Sequence, residues 1–245
     1  MINLHFSIDD FIDNLLDLDN YNSLFEQPVF KKLLKLHNDY NISFSCYCFY
    51  ENKNGNLTDV TSRFSKEFQQ NSSWLKFGFH ALNYDTNYGS TKFISENIVD
   101  NYETAKEHYS RVIKELIRIT GGENSIDTIP RIHYYAGTLA DCKAWKNSPC
   151  GIKGLISSED SRICYYHTKE QAQELLNKGF LYDSENDLSF LRTSIRLENI
   201  KTDNDLIKMI NSKNAFDNLL IFTHEKYLKD ENIIKKISTI MEFYR

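Results

Sequence analysis

Strand-like and helix-like stretches alternate along nearly the whole chain, and this alternation limits the possible folds more than any other feature. Extended segments are read at residues 4–8, 42–50, 74–79, 129–136, 152–156, 162–166, 188–197 and 219–222. Between them, the pattern predicts helices over 11–18, 29–40, 62–69, 102–119, 139–145, 170–177, 205–210 and 232–243. A strand that returns through a helical crossover pairs parallel to its predecessor, so the expected class is α/β with a mainly parallel sheet. The clearest helix is 102–119: Ala105, Tyr109, Val112, Ile113, Leu116 and Ile117 fall at helical spacing, and Gly121-Gly122 supplies the stop signal. No internal repeat or compositional break divides the chain, so residues 1–245 are expected to form one domain.

Composition narrows the function classes. The 29 basic and 34 acidic residues give a net charge of −5 with no basic block, which argues against a nucleic-acid partner. The start, Met1-Ile2-Asn3-Leu4-His5, lacks the basic and apolar regions of a secretory signal. Apolar runs such as Leu219-Leu220-Ile221-Phe222 are too short for membrane insertion. Five cysteines, an odd number with no zinc-like pairing, read as free thiols, which implies a cytoplasmic location. Cys46 and Cys48 share one face of a strand; Cys142, Cys150 and Cys164 have no metal-ligand spacing.

In parallel α/β folds, sites gather at the carboxyl ends of strands, where loops converge. Asp9 and Asp10 close the first predicted strand, and two adjacent carboxylates are costly there unless a cation or a proton transfer uses them. The alternative is that one of them caps the helix 11–18. His80 ends the strand 74–79, His133 lies within Arg131-Ile132-His133-Tyr134-Tyr135, and His224 follows Leu220-Ile221-Phe222-Thr223. A single histidine after a strand more often bonds a neighbouring carbonyl than a metal. Joint placement at one barrel mouth, however, suits a divalent metal, Zn²⁺ in particular, with an activated water. His5, His37, His108 and His167 are read as structural.

These motifs resemble those of the polysaccharide deacetylase family, carbohydrate esterases with a distorted (β/α) barrel of mainly parallel strands and outer helices. Ser7-Ile8-Asp9-Asp10 looks like the family's Thr-Phe-Asp-Asp-Gly motif. Gly78-Phe79-His80-Ala81 is similar to the first half of its histidine motif, and Arg131-Ile132-His133-Tyr134 to its Arg-x-Pro-Tyr motif. Leu220-Ile221-Phe222-Thr223-His224 resembles the last motif. Together they cover about residues 4–225. The departures are Phe11 for glycine, His133 for proline, Tyr84 where a second histidine belongs, and no clear aspartate–tryptophan motif.

The resemblance implies a metal-dependent hydrolase that removes an acyl group, N-acetyl in particular, from a sugar or surface-polysaccharide precursor. Asp9 would be the catalytic base, oriented by Arg131, and His224 the general acid. The backbone N–H of Tyr134 would help bind the oxyanion. Asp10 and His80 would hold the metal, with His133 as third ligand and Asp85 as the next candidate. Glu225 or another carboxylate would orient His224. Tyr84, Tyr88, Tyr134 and Tyr135 are candidate stacking surfaces for a sugar ring. The alternative is a non-catalytic barrel that binds a glycan or a partner after losing part of the metal site, as Tyr84 suggests.

Overall fold

The computed structural model describes residues 3–89, 99–213 and 218–245. The strands among them are β1 (Asn3–Phe11), β2 (Phe44–Phe49), β3 (Glu51–Asn52), β4 (Gly55–Asn56), β5 (Leu75–Ala81), β6 (Gly154–Ser157), β7 (Phe180–Asp183), β8 (Leu188–Arg192), β9 (Ile195–Arg196) and β10 (Asn218–His224). A parallel sheet runs in the order β5-β2-β1-β10-β9. A smaller sheet has the order β6-β8-β7, with β7 antiparallel, and β3–β4 is a hairpin.

Two seams join the sheets into a distorted barrel with outer helices, as expected. At one seam a single bent segment serves both sheets: the Thr193 N–H donates to Ser157 O (3.0 Å) and the Ser194 N–H to Leu220 O (2.7 Å). At the other, the Asp127 N–H donates to Phe77 O of β5 (2.7 Å). Thr128 O and Pro130 O in turn accept from Lys153 (2.8 Å) and Ile156 (3.0 Å) beside β6.

That second seam corrects the expected strand over 129–136. Pro130 has no N–H to offer a ladder, and the chain then turns through His133–Tyr135, with Tyr134 and Tyr135 left-handed at φ 57° and 56°. Nor is 162–166 a strand. The Asp160 carboxylate accepts the Arg162 N–H (2.9 Å) and bends the chain, and Tyr165 is left-handed at φ 52°. β7 was not anticipated; its aromatic residues Phe180 and Tyr182 are exposed, so it lacks the buried face that pattern reading detects. Phe11 belongs to β1, and only Asp13–Leu16 of the expected 11–18 helix is α-helical.

The other helices form where spacing predicts them: Pro28–Tyr40, Ser65–Gln70, Tyr102–Thr120, Leu139–Lys146, Lys169–Lys178, Asp203–Lys213 and Glu231–Tyr244. Asn101 caps Tyr102–Thr120 by accepting the N–H groups of Glu103 (2.9 Å) and Thr104 (3.2 Å). Gly121 ends it at φ 81°, where an added Cβ would also meet Ser65 O at 3.0 Å. Its buried stripe, Ala105, Tyr109, Val112, Ile113 and Leu116, packs towards β5 and Leu139–Lys146.

Between β1 and the helices, Phe11, Phe30, Phe68 and Phe77 meet edge-on at 5.3–6.2 Å. Such pairs add about 0.5–1.5 kcal/mol each beyond simple burial, so the strand that carries Asp9 and Asp10 is anchored from behind. All five cysteines are free thiols. No helix among the described residues is long and apolar enough to cross a membrane.

Candidate metal centre

A regular strand would send Asp9 and Asp10 to opposite faces. β1 avoids this with a bulge. Ile8 pairs with Cys46 but Phe11 pairs with Cys48, so one extra residue is accommodated, and Asp10 takes a left-handed φ of 60°. Aspartate tolerates that conformation better than most side chains. Neither carboxylate caps a helix.

Asp10 Oδ1, His80 Nε2 and His133 Nδ1 converge. Asp10 Oδ1 and His133 Nδ1 each lie 3.2 Å from His80 Nε2, and 3.8 Å from one another. The far nitrogen of each ring is committed: His80 Nδ1 lies 2.6 Å from Arg131 O, and His133 Nε2 lies 3.1 Å from Tyr84 O. A carbonyl only accepts, so both of those nitrogens carry protons, and the neutral rings turn lone pairs towards the carboxylate. Three acceptors facing one another repel unless positive charge lies between them. Their separations approach the ~3.3–3.4 Å edge of a tetrahedron with ligand distances of about 2.0–2.1 Å. The donor set therefore fits a divalent cation.

The electrostatics agree. Burial pushes Asp10 up, but with a proton on His80 Nε2 as the positive charge between them, the hydrogen bond to that ring and the charge of the imidazoles hold it down at about 2. Burial pushes His80 down, yet Asp10 and Asp9 outweigh it and the ring is raised. His133 is lowered to about 3, by burial first and by His80 second. The cluster thus draws in positive charge while His133 stays a neutral lone-pair donor. Phe49 packs on both imidazoles with ring centroids at 5.0 Å, drying one side.

His133 joins the cluster, but not from the strand that the sequence reading expected. It starts a turn rather than continuing a strand. Tyr84 contributes its carbonyl to His133. Asp85 is exposed and outside the three-ligand cluster, which corrects its candidacy as a ligand.

Asp9 points inward, 2% exposed, and pairs with the 1% exposed Arg131, Nη1 to Oδ1 at 2.8 Å. Ser7 Oγ and Thr193 Oγ1 accept from the same guanidinium at 2.9 and 3.2 Å, and the Phe222 ring lies 4.0 Å beneath it. Asp9 also faces His224 in the β1–β10 register. His224 Nδ1 is bonded to Glu198, not to Glu225. Burial pushes Glu198 up, but the His224 hydrogen bond and charge hold it down at about 2. Sequence reasoning missed Glu198, although it follows Ile195-Arg196-Leu197 at the end of an extended run, the same signal that singled out Asp9 and His80.

Glu225 turns away from His224 and accepts the N–H groups of Ile12 (3.0 Å), Asp13 (3.0 Å) and Asn14 (2.7 Å). Tyr134 stacks on His133 with centroids 4.0 Å apart, and Tyr84, 58% exposed, stands edge-on to it at 6.2 Å. Tyr88 and Tyr135 are buried, which removes them as stacking surfaces. A groove of about 600 Å³, lined by Asp10, Phe49, Glu51, Asn83, Tyr84 and Asp85, adjoins the cluster.

No family model matches the chain, and no curated protein does. Solved structures do. A Puue allantoinase superposes at TM-score 0.55, with 9% identity over 99% of this chain and 84% of that one. A Mycobacterium smegmatis protein assigned as a polysaccharide deacetylase gives 0.54, with 10% identity over 98% and 84%. The Xyl-CE4 domain of a multidomain xylanase from the hindgut metagenome of Trinervitermes trinervoides gives 0.50, with 9% identity over 100% and 83%. At these identities the likeness is one of fold: the chain has a polysaccharide-deacetylase-like fold.

Proposed function

We propose that the chain is a metal-dependent hydrolase that removes an acyl group, acetyl in particular, from the nitrogen of an amino sugar or a surface-polysaccharide precursor. The observation that carries this reading is the inward convergence of lone pairs from Asp10, His80 and His133 beside a groove of sugar size. When bound there, a divalent cation such as Zn²⁺ supplies Lewis-acid chemistry, a more acidic water and charge for a developing oxyanion.

The remaining roles fall to this chain's own groups. Asp10, His80 and His133 hold the ion. Asp9 accepts the proton of the attacking water, and Arg131 aims that carboxylate. The backbone N–H of Tyr134 steadies the oxyanion at the tetrahedral stage. His224, tethered by Glu198, protonates the amine as the carbon–nitrogen bond breaks, releasing the carboxylic acid and the free amino sugar. Tyr84 and Tyr134 give the sugar ring an aromatic wall.

A non-catalytic binding barrel would need neither a buried base nor a tethered acid. The retained Asp9–Arg131 and His224–Glu198 pairs favour the enzyme. The test is bound-metal analysis together with acetate release from N-acetylated sugars, with and without chelator. Asp10→Ala is expected to lose the metal; Asp9→Ala is expected to keep it and lose turnover. No metal and no release across a broad panel would favour the binding barrel, and wild-type turnover by Asp9→Ala would remove Asp9 as base.

A further inference from the structure

Asp10 is the only one of the three converging groups whose backbone is strained, with φ at 60°. That conformation persists only if the chain on both sides over-determines it. Upstream, Asp9 is fixed by its register with His224 and by Arg131. Downstream, β1 ends at Phe11, and the next three amides converge on one side chain from the far end of the sequence. Glu225 Oε2 accepts from Ile12 and Asp13, both at 3.0 Å, and Oε1 accepts from Asn14 N–H at 2.7 Å and Asn14 Nδ2 at 2.5 Å. Glu225 itself follows His224 directly, at the end of β10. One strand end therefore carries both the tethered histidine and the clamp on the aspartate loop.

We propose that Glu225 is a positioning residue that holds Asp10 in metal-binding geometry by fixing the Ile12–Asn14 amides; this rests on the metal-site reading above. Only a carboxylate suits the position. Four donors meet two oxygens, and an amide would set its own N–H against theirs. Asn14 Oδ1 accepts from Gln27 Nε2 (2.8 Å), and Gln27 Oε1 caps the helix Pro28–Tyr40, so the same chain of bonds has a purely structural end that serves as a control.

The experiment titrates Zn²⁺ into chelator-stripped protein and records the absorption bands of the Co²⁺ form. It is run at pH 8, because burial pushes Glu225 up to about 7 against the pull of its donors. Nearly isosteric Glu225→Gln is expected to weaken the metal by about 10–100-fold, the range for groups that orient ligands, and to alter the Co²⁺ bands. Gln27→Ala is expected to lower Tm while leaving the metal Kd within twofold. Because coupling is reciprocal, Zn²⁺ should slow hydrogen exchange at the Ile12, Asp13 and Asn14 amides of the unmodified protein by a similar factor, a readout that survives if Glu225→Gln does not fold. A wild-type Kd and spectrum in Glu225→Gln, equal weakening by Gln27→Ala, or unchanged exchange would each overturn the assignment and leave the metal site standing. Failure of the unmodified protein to bind any metal would overturn both.

Discussion

Replacing Arg131 with methionine tests whether the Asp9 carboxylate is held in a dry interior. The guanidinium is 1% exposed and its partner 2%, so neither water nor salt can screen what is left behind. Methionine fills most of the volume but strands a carboxylate and removes a donor from Ser7 and Thr193. Breaking one side of a buried pair costs about 3–5 kcal/mol. At about 2–4 °C per kcal/mol for a chain of this length, Tm should fall by about 6–20 °C. The surface ion pair Lys35–Asp39 sets the contrast, since exposed pairs are worth at most about 1 kcal/mol. The assay is thermal and urea unfolding with chelator present, so that metal linkage does not enter. A double variant, Asp9→Leu with Arg131→Met, should regain most of the loss, because no charge is then left unpaired. A Tm drop under about 3 °C for Arg131→Met, or strictly additive losses in the double variant, would refute the buried pair and with it Arg131's hold on the proposed base.

Two further outcomes follow from the same geometry. Glu198→Gln should destabilise the protein by about 1.5–3 kcal/mol, the worth of a hydrogen bond to a charged group. Because the folded pKa of Glu198 is depressed from 4.5 to about 2, that contribution is fully present above pH 4.5 and lost as pH falls towards 2. The gap in Tm between wild type and variant should therefore close across that window, and a gap independent of pH would contradict the His224–Glu198 pairing. Adding Zn²⁺ at one hundred times its Kd should raise unfolding free energy by about 2.7 kcal/mol, and His133→Ala should abolish most of that gain in a thermal-shift titration; an undiminished gain would exclude His133 as a ligand.

What could be read from residue order alone was whatever repeats over short distances. Period-2 and helical spacing located β1, β2, β5 and β10 and the buried stripe of Tyr102–Thr120, and with them the parallel α/β class. Strand-end reasoning picked out Asp9, Asp10, His80, His133 and His224, because strand ends in such folds share a mouth, and the resemblance to the Arg-x-Pro-Tyr motif added Arg131. Residues 129–136 misled the strand reading, since an apolar run around Pro130 has strand composition but meets neighbouring strands through only a few carbonyls.

Partner choice required the tertiary structure. Glu225 lies next to His224 in sequence yet bonds amides more than 200 residues away, while His224 takes Glu198, 26 residues upstream. Nor could spacing show that Asp10 is left-handed, that Tyr84 offers its carbonyl to His133, or that a turn aims His133. Periodicity records which face of an element is buried. Which donor meets which acceptor depends on how separate elements cross, and that is settled only when the barrel closes.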